Sequence, residues 1–251
     1  MLRISLLVTT ALAALAAHAD CKPLTRFPAT IDAPGRYCLD APANVRISSG
    51  EAIFVDAGNV TLDLNGFALS NQGNADGYCP NELLDAPTVG IGITGAVANV
   101  TVRNGSVSCF GRGIEGVSAC DGCSIGHTIE NMNVHQSGSY GIFLDAWNAT
   151  VRGNHVFRTG FARGVEFAAG IQVQGSGNAI VDNDVMSVVG ENSIGIGTSN
   201  GNAALIAGNR VQQAQYGFRL FGGSAVRFRD NLTAEVSRAY VGQGVDLGNN
   251  D

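Results

Sequence analysis

Residues 148–157 read NATVRGNHVF: an Asn, a short apolar run around Val151, a polar break at Gly153 and Asn154, and a second run around Val156. Strands of three or four residues cannot bury a face on their own. The same arrangement returns along the chain as NVTLDLNGFAL from Asn59, NVTVRNGSV from Asn99, HTIENMNV from His127, NAIVDNDV from Asn178, NAALIAGNRV from Asn202 and SAVRFRDNLT from Ser224, at steps of 21 to 40 residues. A second marker, Gly followed by an apolar residue, keeps phase with the first. It begins at Gly92, Gly113, Gly141, Gly170, Gly195, Gly217 and Gly244, at steps of 21 to 29 residues. Two markers of different chemistry on one irregular period define a single repeated unit whose length varies in a loop.

Each unit holds three short strands, for example 149–152, 155–157 and 170–174, separated by turns. Such units become stable only by stacking, each pairing in parallel with the next to build three long sheets around an apolar bore. The expected architecture is an all-β parallel β-helix of about seven to eight coils. Asn154, Asn183, Asn209 and Asn231 fall on equivalent corners, where Asn tolerates unusual backbone angles and its amide can bond the residue above and below. They are expected to form a structural ladder over the C-terminal four coils.

The flanking features set the compartment and the boundaries. Residues 1–19 carry Arg3, an apolar run and the small-residue pattern Ala17-His18-Ala19, which reads as a signal peptide and makes the protein secreted or periplasmic. No later segment could span a membrane, so stable insertion is not expected. Without Arg3 the chain has 14 basic against 21 acidic residues, a balance that excludes a nucleic-acid partner. All six cysteines (Cys21, Cys38, Cys79, Cys109, Cys120 and Cys123) lie in the first half, and an even count in an exported chain implies disulfides. Six allow 15 connectivities; a local clamp between Cys21 and Cys38 is the preferred single pair. No metal site and no cofactor are expected. Residues 20–50 read as an N-terminal cap and 51–251 as the coil domain, with an insertion at 71–89 that could wall the groove. The C-terminal coil shows no evident cap, so another copy of the chain could cover it.

NVTLDLNGFAL, NVTVRNG and the N-terminal FPATIDAPGRYCL together resemble the right-handed parallel β-helix proteins of the pectin lyase-like superfamily. The resemblance runs from about Thr25 to Leu247. It implies the hand of the winding and an active face on the outside of the sheet that begins with the Gly markers. It names no activity, because that superfamily includes polysaccharide lyases, glycoside hydrolases, epimerases, esterases and modules without demonstrated chemistry.

Alternation turns Ile142, Leu144, Ile171, Val173, Phe218 and Leu220 inward on that sheet. It sets Thr94, Glu115, Phe143, Gln172, Gly197, Arg219 and Asp246 in one outward row, and Asp145, Gln174, Ser199 and Phe221 in a second. Loops before the sheet add Arg112, His135, Tyr140, Arg158, Phe161, Arg163, Glu166, Phe167, Glu191 and Tyr216. Acids, amides, Arg and aromatic faces suit a glycan, held by hydrogen bonds and ring stacking. Tyr140, Phe143, Arg158, Arg163, Glu166, Gln172, Gln174, Tyr216 and Phe221 are therefore candidate binding residues.

Glu115, Asp145, Arg219 and His135 are the candidate catalytic groups. Glu115 and Asp145 sit on neighbouring coils and offset rows, with backbones about 8 Å apart by strand geometry, near the spacing of an inverting glycosidase. His135 is placed beside Asp145 as a proton-transfer group, and Arg219 could neutralise a uronate carboxylate or serve as a base. The carboxylate signature of polygalacturonases and the calcium-binding Asp signature of pectate lyases are both missing. His127 and His155 read as surface residues. Two functional classes follow: a polysaccharide lyase or glycoside hydrolase using the groove, or a non-catalytic structural or interaction β-helix of the cell envelope. Polar and aromatic groups outnumber convincing catalytic ones, which favours binding over cleavage.

Overall fold

The computed structural model describes residues 21–72, 79–120, 122–199, 203–221 and 225–251; the signal-peptide expectation lies outside them. Short strands pair in parallel throughout, each with the strand one coil on, in a right-handed β-helix of about eight turns. The first sheet holds Gly50–Val55, Thr88–Ile93, Ala169–Gln174 and Ile194–Ser199. The second holds Val60–Asp63, Thr150–Arg152, Ala179–Val181 and Leu205–Ala207, and the third Ala68–Asn71, His155–Thr159 and Asp184–Val188. Longer strands such as Val100–Gly116 and Thr128–Asp145 run round the corners and contribute to all three.

Register explains the Gly marker and corrects it. Ile91, Ile114, Ile142, Ile171, Ile196, Phe218 and Tyr240 form one row, so the glycines before them are Gly90, Gly113, Gly141, Gly170, Gly195 and Gly217. A Cβ on Gly141 would lie 2.4 Å from Val156 Cγ1 and 2.6 Å from the Gly170 carbonyl oxygen. At Gly195 the same atom would lie 2.1 Å from Val211 Cγ1. Each bare Cα therefore leaves room for a β-branched side chain of the next coil, Val for the first five and Thr233 for Gly217. Gly92 is instead on the outward row, and Gly244 precedes Val245–Asp246, which pairs in the second sheet, not the first. The sequence pattern misplaced both because Gly90-Ile91-Gly92-Ile93 contains the marker twice, while the last coil has Ala239 in its place. Thr94 and Asp246 accordingly leave the outward row, and Gly92 and Val241 take their positions.

Corners follow a chemical rule of their own. Asn104, Asn131, Gly153, Asp182, Gly208, Asp230 and Asn249 all have positive φ, a conformation that Gly, Asn and Asp adopt most readily. The residues after Gly153, Asp182, Gly208 and Asp230 are Asn154, Asn183, Asn209 and Asn231, at most 2% exposed. The unusual angle thus belongs to the preceding residue, and the buried Asn supplies hydrogen bonds alone. Asn183 Oδ1 accepts the backbone N–H of Asn154 at 3.0 Å and its side-chain amide at 2.9 Å. Asn209 repeats this for Asn183, and Asn231 for Asn209. Asn250 adds a fifth rung below Asn231. Asp251 then exchanges backbone hydrogen bonds with Asn231 and Thr233, so the C-terminal tail blunts part of an end for which the sequence showed no cap.

His127 is fully buried, not a surface residue. Its Nδ1 accepts the Val100 N–H at 3.2 Å and its Nε2 lies 2.7 Å from Ser124 Oγ. Asn178, also buried, does the same for Ala149, whose N–H reaches Asn178 Oδ1 at 2.8 Å. Asn178 is equivalent to Ala149, one residue out of the alignment with Asn148. Both polar side chains occupy otherwise apolar inward positions and serve a backbone donor that the corner leaves without a sheet partner.

Asn209→Leu leaves the Asn183 N–H and side-chain amide without their Asn209 acceptor, and should cost about 2–6 kcal/mol at roughly 1–3 per buried unsatisfied group, read as a lowered midpoint in urea unfolding. Burial lowers the pKa of His127 from 6.5 to about 4. The unfolded state then binds the proton first, so stability is lost as pH falls from about 6.5 to 4, by on the order of 3 kcal/mol. His127→Asn, which keeps an acceptor at that position, should flatten this slope in denaturation measured across the same pH range.

Candidate functional site

Sheet one carries an outward row of Phe54, Gly92, Glu115, Phe143, Gln172, Gly197, Arg219 and Val241. Asp145, Gln174 and Ser199 form the parallel row two residues further on. Within this wall the structure builds two clefts, on either side of the loop 160–168.

The first cleft, about 500 Å³, is lined by Glu51, Arg112, Glu115, Ser139, Asp85 and Arg163 among others. One side is the insertion. Its helix Asn81–Asp85 packs through Leu84 on the buried Cys79–Cys109 bridge and Phe161. Arg163 closes the cleft by pairing with Asp85 at 2.7 Å and Glu82 at 3.1 Å, while its backbone N–H reaches Asp85 Oδ1 at 2.6 Å. Those hydrogen bonds hold the exposed Asp85 carboxyl below its ordinary value. Arg163 is thereby a clamp between insertion and loop. Glu115 is ion-paired with Arg112, and the Arg112 guanidinium lies 5.9 Å from the Tyr140 ring centre.

The second cleft, about 190 Å³, gathers Tyr140, Gln172, Gln174, Arg219 and Phe221 with Phe167, Thr198 and Ser199. Its floor depends on a missing side chain. A Cβ on Gly197 would lie 2.1 Å from Gln172 Oε1, so the Gln172 amide takes up that space, and it donates to Ser199 Oγ at 3.2 Å. The walls are aromatic. Arg219 lies 4.7 Å from the Phe221 ring centre, 5.6 Å from Phe167 and 5.8 Å from Tyr216, and among the described residues it has no salt-bridge partner. Tyr140 meets Phe143 edge-on at 5.3 Å and Phe167 at 6.2 Å. Burial raises the Tyr140 pKa, which keeps the phenol a neutral donor.

Other candidates are held elsewhere. His135 pairs with Phe157 on sheet three and stacks on its ring at 4.8 Å, before the corner that leads to the groove. It is not beside Asp145, because the chain turns at Gln136 between them. Arg158 is a corner residue set over Phe161 at 5.6 Å. Glu166 is exposed in the loop, where its carbonyl accepts the Asn192 N–H. Phe167, placed by the sequence in the loop before the sheet, lines the second cleft. No group of three or more metal-ligating side chains occurs among the described residues.

A family model for the right handed beta helix region matches residues 89–250. The chain belongs to the right-handed β-helix family. A search of curated protein sequences finds no match. Among solved structures, the chain is similar to pectate lyase Pel9A at 12% identity and a TM-score of 0.50, over 87% of this chain and 70% of that one. It also aligns with XylC in complex with xylose at 12% identity and TM-score 0.49, over 79% of this chain and 38% of that one. The Dettilon tailspike protein aligns at 12% and 0.48, over 92% and 58%. The β-helix thus spans 38% of the XylC chain, and at these identities the likeness concerns fold alone.

Filling the Gly197 notch tests the second cleft directly. Gly197 has an ordinary backbone conformation and faces outward, so Gly197→Phe should leave the thermal midpoint within a few degrees while blocking any ligand of the cleft, as measured by calorimetric titration.

Proposed function

We propose that this protein is an exported glycan-binding β-helix that holds a polysaccharide segment across the outer face of sheet one. The observation that carries the reading is the second cleft: an amide floor, aromatic walls and an Arg with no carboxylate partner among the described residues. Sugar rings present C–H faces to aromatic side chains and hydroxyls to amides, and both surfaces are present within one shallow depression. The groove runs along the coil axis, so an extended chain crosses successive coils at about 4.8 Å intervals.

Cleavage is the second reading, and it rests on Glu115 and Asp145. Both lie on the groove face, on adjacent coils and rows two residues apart, and a backbone gap of about 8 Å supports an inverting acid–base pair. The Arg112 partner of Glu115 favours binding, because a general acid must be free to carry a proton.

Affinity electrophoresis and calorimetry across neutral and acidic polysaccharides test the first reading. Retention should fall roughly tenfold in Arg219→Ala and in Phe221→Ala, equivalent to about 1–1.5 kcal/mol for each lost ring or cation contact. Retention by no glycan, or retention indifferent to both changes, overturns it. Release of reducing ends or unsaturated products, abolished in Glu115→Gln or Asp145→Asn, would establish cleavage instead.

A further inference from the structure

The three disulfides of this chain have unlike surroundings. Cys79–Cys109 is buried, and in Cys21–Cys38 one partner, Cys38, is only 3% exposed. Cys120–Cys123 stands at the surface, with Cys120 exposed and Cys123 half-exposed. Its sequence separation is 3, against 17 and 30 for the others. A ring so short removes little freedom from the unfolded chain, so this bridge contributes least to folding.

The loop around it is anchored independently. Ala119 N–H donates to the Gly95 carbonyl at 3.0 Å, Trp147 N–H to the Ser124 carbonyl at 2.8 Å, and Gly126 N–H to the Trp147 carbonyl at 2.8 Å. Ser124 is further held by His127 in the core. Opening the bridge therefore leaves the coil in place. Val117, Ile125 and Trp147 are exposed beside it, and the indole lies 3.6 Å from where a side chain on Gly122 would begin. An accessible sulfur next to exposed apolar groups suits attack by a thiol carried on a docking surface.

We propose that Cys120–Cys123 is an exchange site, opened by a dithiol while the other two bridges stay closed. The thiolate of the dithiol attacks Sγ of the exposed residue Cys120, and the electron pair of the S–S bond leaves on Cys123 Sγ, which takes up a proton. The second thiol of the reductant, deprotonated, then attacks the mixed disulfide and releases Cys120 as a thiolate. Two electrons pass to the bridge, and the dithiol becomes a disulfide. A partner disulfide reverses the exchange by the same two steps, taking back the two electrons and the protons as it becomes a dithiol.

The test uses the full folded protein and graded dithiothreitol. Two thiols per chain should appear before the other four, and alkylation with peptide mapping should place them at Cys120 and Cys123. Trp147 is the one tryptophan in the sequence, so its emission should rise as the quenching disulfide opens, with the far-ultraviolet circular dichroism unchanged. The Cys120→Ser/Cys123→Ser double variant should fold and lack this early phase. A reduced thioredoxin-type protein, used as a second probe, should open the bridge at least tenfold faster per thiol if the reductant is protein-borne; equal rates assign the exchange to small dithiols. The proposal is overturned if the first thiols map to another pair, if all six appear together, if none appears before unfolding, or if the double variant fails to fold.

Discussion

The contact between a bare glycine Cα and the valine of the following coil governs this structure. At Gly90, Gly113, Gly141, Gly170 and Gly195 the space that a Cβ would take is filled by Val107, Val134, Val156, Val185 and Val211 in turn. The backbone carbonyl of the next glycine lies within 2.9 Å of the same point, so neither neighbour can retreat without breaking the ladder. This fixes the entry of each coil into sheet one against the third sheet of the next coil. The register of the outward row, and hence which side chains share a cleft, follows from that fit.

Stacked coils solve the hydrogen bonding of their strands but leave corner N–H groups facing the interior. A buried donor without an acceptor costs about as much as a well-made bond contributes, or more. The chain meets the need with short side chains whose oxygen or nitrogen points along the stack: four Asn in series, then Asn250, with His127 and Asn178 doing the same at another corner. Asn is suited because one amide oxygen accepts two N–H groups while its own NH₂ reaches a carbonyl a coil away. Histidine accepts equally well only while it is neutral, which makes the His127 rung the one whose hydrogen bonding depends on proton concentration.

Much of this was legible in the amino-acid order because repetition converts local chemistry into position. The coil fold, the inward row from Ile142 to Leu220 and the buried Asn series each recur often enough for spacing alone to reveal them. Legibility ended where repetition did. Gly92 and Gly244 imitate the marker at single positions, and only pairing partners tell them from Gly90 and Ala239. His127 looked like a surface residue because imidazole is polar, and its burial depends on Val100 from the preceding coil as well as on Ser124 three residues before it. His135 was placed in the groove because it is near Asp145 in sequence, yet a corner at Gln136 turns the chain between them.

The candidate site shows a division of labour that follows from the same constraint. Side chains on the sheet are held to the coil spacing and can form only a corrugated wall, regular at about 4.8 Å and too even to select a ligand. Selectivity has to come from departures from that regularity, and both clefts are made by such departures. In one, an insertion clamped by a disulfide and by Arg163 brings carboxylates that are met by arginines. In the other, Gly197 removes a side chain from the wall and the loop residue Phe167 supplies a ring above the gap. Glu115 and Asp85 of the first cleft have cationic partners in Arg112 and Arg163, whereas Arg219 in the second lies over rings and has no salt-bridge partner among the described residues. A ligand with hydroxyls and a flat apolar face meets little competing charge there, which is why the wall is read as a surface for sugars ahead of a centre for acid–base chemistry.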